Sequence, residues 1–457
     1  MDKFDFHTKA KLPAEKAAQI NRILNAAIVA VDPYQAIRNY IRRENKYIFI
    51  KNYRLDLANI EHIYVIGAGK AGAPMAQAVE DVLGSLITEG IVIIKEDPLL
   101  DEDAQGTNTI RLLPASHPIP DDSCIQSTSE IIRLLDKATK NDLVLCLLSG
   151  GGSSLLTAPL PSISLSDLQV LTNALLRCGA FIHEINTLRK HLSQVKGGGL
   201  AKLAYPSKII SLILSDVVGD QLDVISSGPT AADSSTFQDC LDILEHYNIT
   251  RSIPQSIVNL LKEGANGILP ETLKPDDPIF NNVINLIVGN NLIAAQAARE
   301  QAQLEGFHTM LLTTQLQGEA REAGKFLASI ARQINITSDP VSRPACIICG
   351  GETTVTLTGD GLGGRNIELA LSTVPYLDGL SDTAIVTLAT DGDDGPTRSA
   401  GAIVTEHTLA RASALELDYK AFLANNDSFH FFEPLGNLMK PGLTQTNVND
   451  LAFIFTF

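Results

Sequence analysis

Short apolar runs alternate with helix-length segments along most of the chain. This alternation predicts an α/β fold with a mostly parallel sheet, because a helix usually connects one parallel strand to the next. The segment 16–41 has a helical pattern, and Asp32-Pro33 divides it into two helices because proline interrupts a helix interior. Strands are predicted at residues 63–66, 91–95, 143–148, 208–214, 283–288, 309–312, 345–349, 353–357 and 384–389.

The segment 252–277 is rich in proline, glycine and charged residues and has no strong strand pattern. This composition is typical of a connection between domains, so we place a domain boundary there. The chain has 457 residues, which is enough for two or three domains that each bury a core.

Six of the predicted strands lead directly into a polar or glycine-rich loop. In an open parallel sheet, ligands bind outside the carboxyl ends of the strands, so these loops predict one functional edge. The loops begin at Gly67, Ser149, Ser215, Gly289, Gly350 and Thr390.

The loop at residues 67–72 reads GAGKAG and has two interpretations. Its spacing satisfies the dinucleotide pattern GxGxxG, which also requires an acidic residue after the second strand, here Glu89 or Glu96. Lys70 favours a phosphate or a phosphoryl group in transfer, because an ammonium group among backbone N–H donors at a helix start suits an anion. The chain has no GxxxxGK[ST] sequence and is therefore not a standard P-loop kinase.

The loop at residues 149–154 reads SGGGSS and is a second candidate for binding phosphate. Successive glycines let backbone N–H groups approach an anion, and the serines add hydroxyl donors. Lys196 precedes three further glycines in an otherwise acidic chain and is a candidate ligand contact. His117 lies between prolines in an extended loop, where it either contacts substrate or is an ordinary loop histidine. The predicted binding residues are Gly67, Gly69, His117, Ser149, Gly150, Gly151, Gly152, Ser153, Lys196, Asn290 and Glu352.

Two loops supply carboxylates directly after strands, one at Asp216 and one at residues 391–394. Phosphoryl transfer from a nucleotide requires a divalent cation, cationic side chains and a residue that orients or deprotonates the acceptor hydroxyl. Arg365 follows a glycine run and can bind a carboxylate or phosphate in bidentate fashion. We predict Asp216, Asp391 and Asp394 as ligands of Mg²⁺ or another divalent cation.

The net charge is −16, from 36 basic and 52 acidic side chains. This acidity argues against broad binding to nucleic acids or anionic membranes, because both require a basic surface. The longest apolar runs are far shorter than the roughly 20 residues that span a bilayer, and the start of the chain has no signal-peptide pattern. We therefore expect a soluble cytoplasmic protein with small-molecule substrates, and the sequence leaves a homodimer open.

The ordered motifs closely resemble those of the class II glycerate kinases, the glycerate 2-kinase family whose C-terminal portion is the MOFRL domain. The resemblance covers nearly the whole chain, and its specificity comes from the joint order of many motifs. They are GAGKA (67–71), ASHPIPD (115–121), LLSGGGSSLL (147–156), VKGGGLA (195–201), LSDVVGD (214–220), SSGPT (226–230), CGGETTVT (349–356), GGRN (363–366), ATDGDDGPT (389–397) and the terminal TNVNDL.

The resemblance implies a Rossmann-like N-terminal α/β domain at residues 1–265 and a smaller C-terminal α/β domain of MOFRL type at residues 266–457, with the active site in the cleft between them. It implies transfer of the ATP γ-phosphoryl group to D-glycerate, with 2-phosphoglycerate as product and Mg²⁺ as the cation. Lys70 and Arg365 match the essential cationic pair. Asp216 matches the acid near the acceptor hydroxyl, either as general base or as metal ligand.

The chain departs from the family pattern at Ile367, where the family commonly has glutamine, and at Gln445, where it commonly has glycine. These departures concern substrate preference more than reaction class, because Arg365 and Glu368 stay in register. The alternative function is a hydroxypyruvate reductase that uses NAD(P)H, since hydroxypyruvate and glycerate differ only by reduction. A third interpretation is a sensor of nucleotides or sugar acids without catalytic activity.

Overall fold

The computed structural model describes residues 3–96 and 107–457. It divides into two compact units. We call Pro33–Ser215 together with Asp220–Val288 the glycine-loop unit, and Met1–Asp32, Asp216–Gly219 and Gly289–Phe457 the arginine unit. The predicted division at residues 265 and 266 does not coincide with these units, because helix α1 (Ala14–Ala30) packs against α11 (Asn291–Leu304).

The central sheet of the glycine-loop unit has the strand order β6-β5-β4-β7-β8-β9. The pairings from β6 through β8 are parallel, as the sequence pattern predicts. Numbered from β4, this order is 3-2-1-4-5-6, and the direction of the chain connections reverses between β4 and β7. The strands are β4 (Ile63–Ala68), β5 (Glu89–Lys95), β6 (Ile110–Ala115), β7 (Leu143–Leu148), β8 (Lys208–Leu214) and β9 (Val283–Gly289).

The sheet of the arginine unit is mostly antiparallel and has the order β10-β11-β15-β12-β13-β14. Strands β10 and β11 are parallel, whereas the fully buried β15 lies antiparallel between β11 and β12. The strands are β10 (His308–Leu316), β11 (Ala345–Gly351), β12 (Thr383–Ala389), β13 (Gly401–Thr405), β14 (Leu438–Met439) and β15 (Asp450–Thr456). A separate antiparallel sheet contains β1 (Ile41–Glu44), β2 (Tyr47–Ile50) and β3 (Tyr53–Asp56).

Helices cover the sheets, and none in the described part of the chain is long and apolar enough to cross a membrane. Besides α1 and α11, the α-helices are α2 (Pro33–Tyr40), α3 (Gly72–Leu83), α4 (Asp122–Leu135), α5 (Gly152–Leu155), α6 (Leu165–Arg177), α7 (Ile182–His191), α8 (Gly199–Ala204), α9 (Phe237–His246), α10 (Gln255–Ala265), α12 (Ala320–Thr337), α13 (Arg365–Leu377), α14 (Thr408–Ala414), α15 (Tyr419–Ala424) and α16 (Ser428–Phe432). Short 3₁₀ helices occur at Leu57–Asn59, Gly84–Leu86, Ile225–Ser227, Pro278–Asn282 and Gly395–Thr397.

Each unit has its own hydrophobic core. In the glycine-loop unit, α6, α7, α9 and α10 pack around residues such as Leu188 and Leu261. In the arginine unit, α12 and α13 pack on the sheet around residues such as Leu327 and Ile367. These cores fix the strand ends from which the loops emerge.

Eight of the nine predicted strands and the two predicted N-terminal helices are present. The strand predicted at residues 353–357 is wrong, because this segment leaves the sheet and retains only an isolated bridge between Thr354 and Glu319. Its side chains at Thr354, Thr356 and Leu357 are exposed, so its β-branched composition reflects no buried pairing.

Candidate functional site

The loops after β4 and β7 meet at the point where the chain direction of the glycine-loop sheet reverses. The backbone N–H of Lys70 donates to Gly150 O at 2.9 Å, and that of Ala71 donates to Ser149 Oγ at 3.1 Å. Gly69 has φ of +148°, and a Cβ there would overlap Ser149. The two predicted phosphate loops are therefore fastened to each other at the edge where parallel sheets bind ligands.

Lys70 and His117 both lie against Gly151. A Cβ at Gly151, whose φ is +85°, would stand 3.0 Å from His117 Nε2 and 3.2 Å from Lys70 Cγ. The Lys70 side chain is exposed and makes no hydrogen bond or ion pair within residues 3–96 and 107–457. Burial, together with the charge of Lys70, lowers the pKa of His117 to about 4, so its imidazole is uncharged at pH 7. Lys70 therefore offers a positive charge that no described carboxylate offsets, and His117 offers a neutral imidazole that can donate or accept a hydrogen bond.

A line of hydroxyl groups continues from the second loop. Ser227 Oγ donates to Asn186 Oδ1 at 3.1 Å, and therefore accepts from Ser153 Oγ at 2.7 Å. Ser226 lies against Gly152, where a Cβ would overlap its hydroxyl group.

Lys196 is buried beneath the second loop. Its ammonium group donates to Ser153 O at 2.5 Å and Leu156 O at 2.8 Å, the carbonyls at the end of α5. Burial, and next the charge of Arg189, lowers the pKa of Lys196 to about 7. Lys196 thus holds the loop in place with two of its three donors.

Arg365 begins α13 in the arginine unit and lies between two carboxylates. Its Nη1 is 2.5 Å from Glu352 Oε1, and its Nε is 2.6 Å from Asp450 Oδ2. Burial alone would lower the pKa of Arg365, but the charges of Asp450 and Glu352 outweigh it and raise that pKa. The two carboxylates therefore hold the guanidinium in place and offset part of its charge.

Asp450 reaches this position because β15 is antiparallel to its neighbours. The first residue of β15 pairs with Gly351 at the end of β11 and with Ala389 at the end of β12. It therefore lies beside the loops that carry Glu352 and Asp391. Burial raises the pKa of Asp450 to about 7 despite the charge of Arg365.

Asp394 caps the N-terminus of α13. Its Oδ1 accepts from the backbone N–H of Asn366 at 3.1 Å, and its Oδ2 accepts from that of Ile367 at 2.7 Å. Burial raises the pKa of Asp394 to about 6 despite these hydrogen bonds. The side chain of Ile367 packs in the core while its backbone serves this cap, so the departure from glutamine leaves the helix start intact.

A pocket of about 530 Å³ opens beside this cap. Its polar lining is dominated by carboxylates, so it favours cations or hydrogen-bond donors over anions. Six of its lining residues are Arg365, Glu368, Asp391, Asp393, Asp394 and Asp450.

The remaining predicted residues occupy strand ends. Asn290 follows β9 and caps α11 by accepting from the backbone N–H of Ile293 at 2.9 Å. Asp216 follows β8 and Ser215.

Gln445 has φ of +63°, a region that favours glycine, which is the residue common in the family at this place.

The three predicted metal ligands do not form a ready-made cluster. Within residues 3–96 and 107–457, the only group of three suitable ligand atoms is Glu61, His62 and Asp142. These residues precede β4 and β7 and so lie at the opposite, amino end of the sheet. Both oxygens of Asp394 accept hydrogen bonds from the start of α13, and a metal site at Asp216, Asp391 and Asp394 stays a prediction.

Sequence reasoning missed four residues that complete these arrangements: Asn186, Ser226, Ser227 and Asp450. The serines and Asp450 were visible only as parts of the SSGPT and TNVNDL motifs, with no chemistry attached. Asn186 carried no signal, because its contact with Ser227 joins residues that are distant in sequence.

Two family models match the chain. One is described as "Domain of unknown function (DUF4147)" and matches residues 19–262, and the MOFRL family model matches residues 345–450. The chain is also 43% identical to D-glycerate 2-kinase of Thermotoga maritima over 397 residues, which are 86% of this chain and 90% of that protein. The chain belongs to the glycerate kinase family with a MOFRL domain.

The fold agrees with this family. A crystal structure of glycerate kinase from Thermotoga maritima superimposes with a TM-score of 0.84 at 40% identity, and the match covers 97% of this chain and 99% of that one. Another relative, from Agrobacterium vitis, is named "Putative hydroxypyruvate reductase" and is 38% identical over 95% of this chain and 93% of its own length. Both names thus occur among relatives of this glycerate kinase family member.

Proposed function

We propose that the protein is an ATP-dependent glycerate 2-kinase that transfers the γ-phosphoryl group of ATP to D-glycerate and releases ADP and 2-phosphoglycerate. The observation that carries the proposal is the fastened pair of glycine loops in a Rossmann-like unit, where Lys70 extends beside the uncharged imidazole of His117. The Thermotoga maritima relative, named D-glycerate 2-kinase, supports the same activity.

In the proposed transfer, a hydroxyl oxygen of D-glycerate forms a bond to the γ-phosphorus while the bond from that phosphorus to the β,γ-bridging oxygen breaks. ADP leaves with the electron pair of the broken bond, and the hydroxyl proton passes to a base. Asp216 is the proposed acid near this hydroxyl, as base or as metal ligand.

The cations have separate tasks in this proposal. Lys70, together with those backbone N–H groups of the two loops that do not already donate within the protein, holds phosphate oxygens and offsets the charge that spreads over them during transfer. Arg365 provides a second positive group, whose orientation is set by Glu352 and Asp450. His117 is neutral at pH 7 and therefore adds a hydrogen bond without a charge.

Magnesium is part of the proposal as the ion of the nucleotide. Mg²⁺ usually binds through one or two carboxylates together with substrate phosphates, and this mode requires no cluster of three carboxylates. The ion would neutralise phosphate oxygens.

A cytoplasmic location and small-molecule substrates complete the proposal, with a homodimer left open. All six cysteines are free, which is typical of proteins in reducing compartments. The net charge of −16 disfavours nucleic acids and anionic membranes as partners.

The test is a pair of assays on the purified protein. One follows ADP formation with ATP, Mg²⁺ and D-glycerate, and the other follows oxidation of NADH or NADPH with hydroxypyruvate. We expect ADP formation that requires D-glycerate. Oxidation of the nicotinamide without consumption of ATP would instead establish the reductase.

The reductase is the second candidate because a relative carries that name and because Gly67, Gly69 and Gly72 satisfy the dinucleotide spacing. Glu89 cannot be the ribose-binding acid, since it begins β5 and pairs with Lys137 at 2.6 Å. Glu96 directly follows β5 and remains the acid that this alternative would use.

A further inference from the structure

Two cations lie close together in the glycine-loop unit without a carboxylate partner among the described residues. Lys196 is buried, Arg189 is half-buried, and the charge of Arg189 acts on Lys196. The guanidinium of Arg189 makes no hydrogen bond or ion pair within the residues that the structure describes. Two positive side chains that are close together and shielded from water repel each other, and a bound anion would offset this repulsion.

The next residue along α7, Lys190, is a buried cation that is paired with acids. Lys190 contacts Asp233 at 2.7 Å and Asp223 at 3.4 Å, and both the lysine and Asp233 side chains are almost fully buried. Arg189 has no equivalent acid, although it is on the same helix and also loses solvent. The contrast indicates that the partner of Arg189 comes from outside the chain.

Ser226 supplies a second group without a partner. Its hydroxyl oxygen is buried and makes no hydrogen bond in the described structure, and the residue is only 8% exposed. Its neighbour Ser227 donates to Asn186, so that hydroxyl group is already used. A buried hydroxyl group without a hydrogen-bond partner destabilises the folded protein, unless a ligand or a water molecule supplies that partner.

The contacts of α7 place Arg189 on the helix face that meets the second glycine loop, and Ser226 contacts that loop directly. Asn186 and Arg189 are three residues apart and therefore share a face of the helix. Asn186 accepts from Ser227, and Ser227 accepts from Ser153 in the loop. Ser226 itself lies against Gly152.

We propose that Arg189 and Ser226 bind the carboxylate of the acid acceptor and so select an acidic substrate over a neutral polyol. This inference rests on the proposed kinase function. A carboxylate suits the site because the planar guanidinium donates two parallel hydrogen bonds to its two oxygens. The phosphates of the nucleotide are already provided for by Lys70 and the backbone N–H groups of the loops.

The test compares Arg189→Met with the matched control Arg177→Met, which removes an exposed arginine from α6. We expect Arg189→Met to raise the KM for D-glycerate by about 10- to 100-fold, because charged hydrogen bonds to the substrate are lost. The KM for ATP should stay within about twofold in both variants. Phosphorylation of glycerol, which has the hydroxyl groups without the carboxylate, should be equal in wild type and variant.

Ser226→Ala should raise the KM for D-glycerate by about fivefold, and Arg189→Lys should recover part of the loss because it keeps the charge. A rise in the KM for ATP in Arg189→Met, with that for D-glycerate unchanged, would assign the anion to the nucleotide and overturn the inference. Unchanged values for both substrates would overturn it as well.

Calorimetric titration of D-glycerate separates this inference from the proposed function. Binding to the wild type that is lost in Arg189→Met, with no ADP formed by the wild type, would refute the kinase and support the carboxylate site. ADP formation by the wild type with equal D-glycerate binding in both proteins would support the kinase and refute the site. Circular dichroism on both variants checks that the fold is retained.

Discussion

Lys70 of the glycine-loop unit and Arg365 of the arginine unit both stand beside glycine-rich loops, but their electrostatic surroundings are opposite. Lys70 is exposed, and it makes no ion pair with a carboxylate in the part of the chain that the structure describes. Arg365 is clamped between Glu352 and Asp450. Lys70 can therefore meet an anionic ligand directly, whereas Arg365 is already held by two carboxylates that offset part of its charge.

A cation in a candidate site can bind a ligand or stabilise the fold. The comparison indicates that the ion pairs it makes within the protein distinguish these two roles. Removing Lys70 should change function while leaving the fold intact. Removing Arg365 should change both, because it leaves Asp450 buried without its counter-charge.

The largest expected effect is on turnover. Lys70→Ala and Arg365→Ala should each lower kcat by about 10²- to 10³-fold, because each removes a group that stabilises the transferring phosphoryl charge. Coupled assay of ADP release measures this effect. Lys140→Ala, which removes an exposed lysine elsewhere, is the control and should retain full activity. Equal activity of Lys70→Ala and wild type would remove Lys70 from the mechanism.

The second effect separates the two cations by stability. Arg365→Ala should lower the free energy of unfolding at pH 8 by about 3 kcal/mol, because a buried carboxylate loses its partner. Lys70→Ala should change it by about 0.5 kcal/mol or less, because the lysine side chain is exposed. Urea denaturation measures both. The double variant with Asp450→Asn should recover part of the loss, and no recovery would contradict the clamp.

The third effect concerns pH. The pKa of Asp450 is raised to about 7 in the folded protein, against about 4 when unfolded. Between these values the folded state binds more protons, so this residue makes stability fall as pH rises from about 4 to about 7.

Asp450→Asn removes that dependence, so its stability relative to wild type should rise across this interval by on the order of 3 kcal/mol. Thermal unfolding at a series of pH values measures the difference. The control is Asp393→Asn, which changes a partly exposed acid of the same pocket. Parallel curves for Asp450→Asn and wild type would show that Asp450 titrates normally.

The smallest expected effect tests the contact of Gly151 with Lys70 and His117. Gly151→Ala and the control Gly179→Ala both place alanine in a left-handed conformation, which costs about 1 kcal/mol. Only Gly151 has neighbours there, since a Cβ at Gly179 meets nothing within 4 Å. Gly151→Ala should therefore lower kcat by about tenfold through displacement of its neighbours, while Gly179→Ala should not. Equal kcat values would contradict the contact.

The glycine-loop site could be predicted from sequence because its parts follow local rules. Apolar runs marked β4 and β7, and parallel pairing necessarily brought the loops after them to one edge. The fastening of Lys70 to Gly150 needs only the backbone of these loops. In this part of the chain, the local sequence pattern therefore predicts where the loops lie in the fold.

The surroundings of Arg365 could not be predicted in the same way. Asp450 reaches Arg365 only because β15 inserts antiparallel between β11 and β12, and nothing local to residues 450–456 specifies that insertion. The role of Asp394 as a helix cap likewise depends on a contact across many residues. Sequence alone made Asp394 a metal candidate, since it shows a carboxylate but not the donors that engage it.

Calorimetric titration of ATP into Lys70→Ala and Arg365→Ala tests the central contrast most directly. Lys70→Ala should weaken the Kd for ATP by about tenfold or more, because charged hydrogen bonds to phosphate are lost. Arg365→Ala should change it by about twofold or less, because Glu352 and Asp450 already hold the guanidinium and offset part of its charge. A larger loss of ATP binding in Arg365→Ala than in Lys70→Ala would contradict this account.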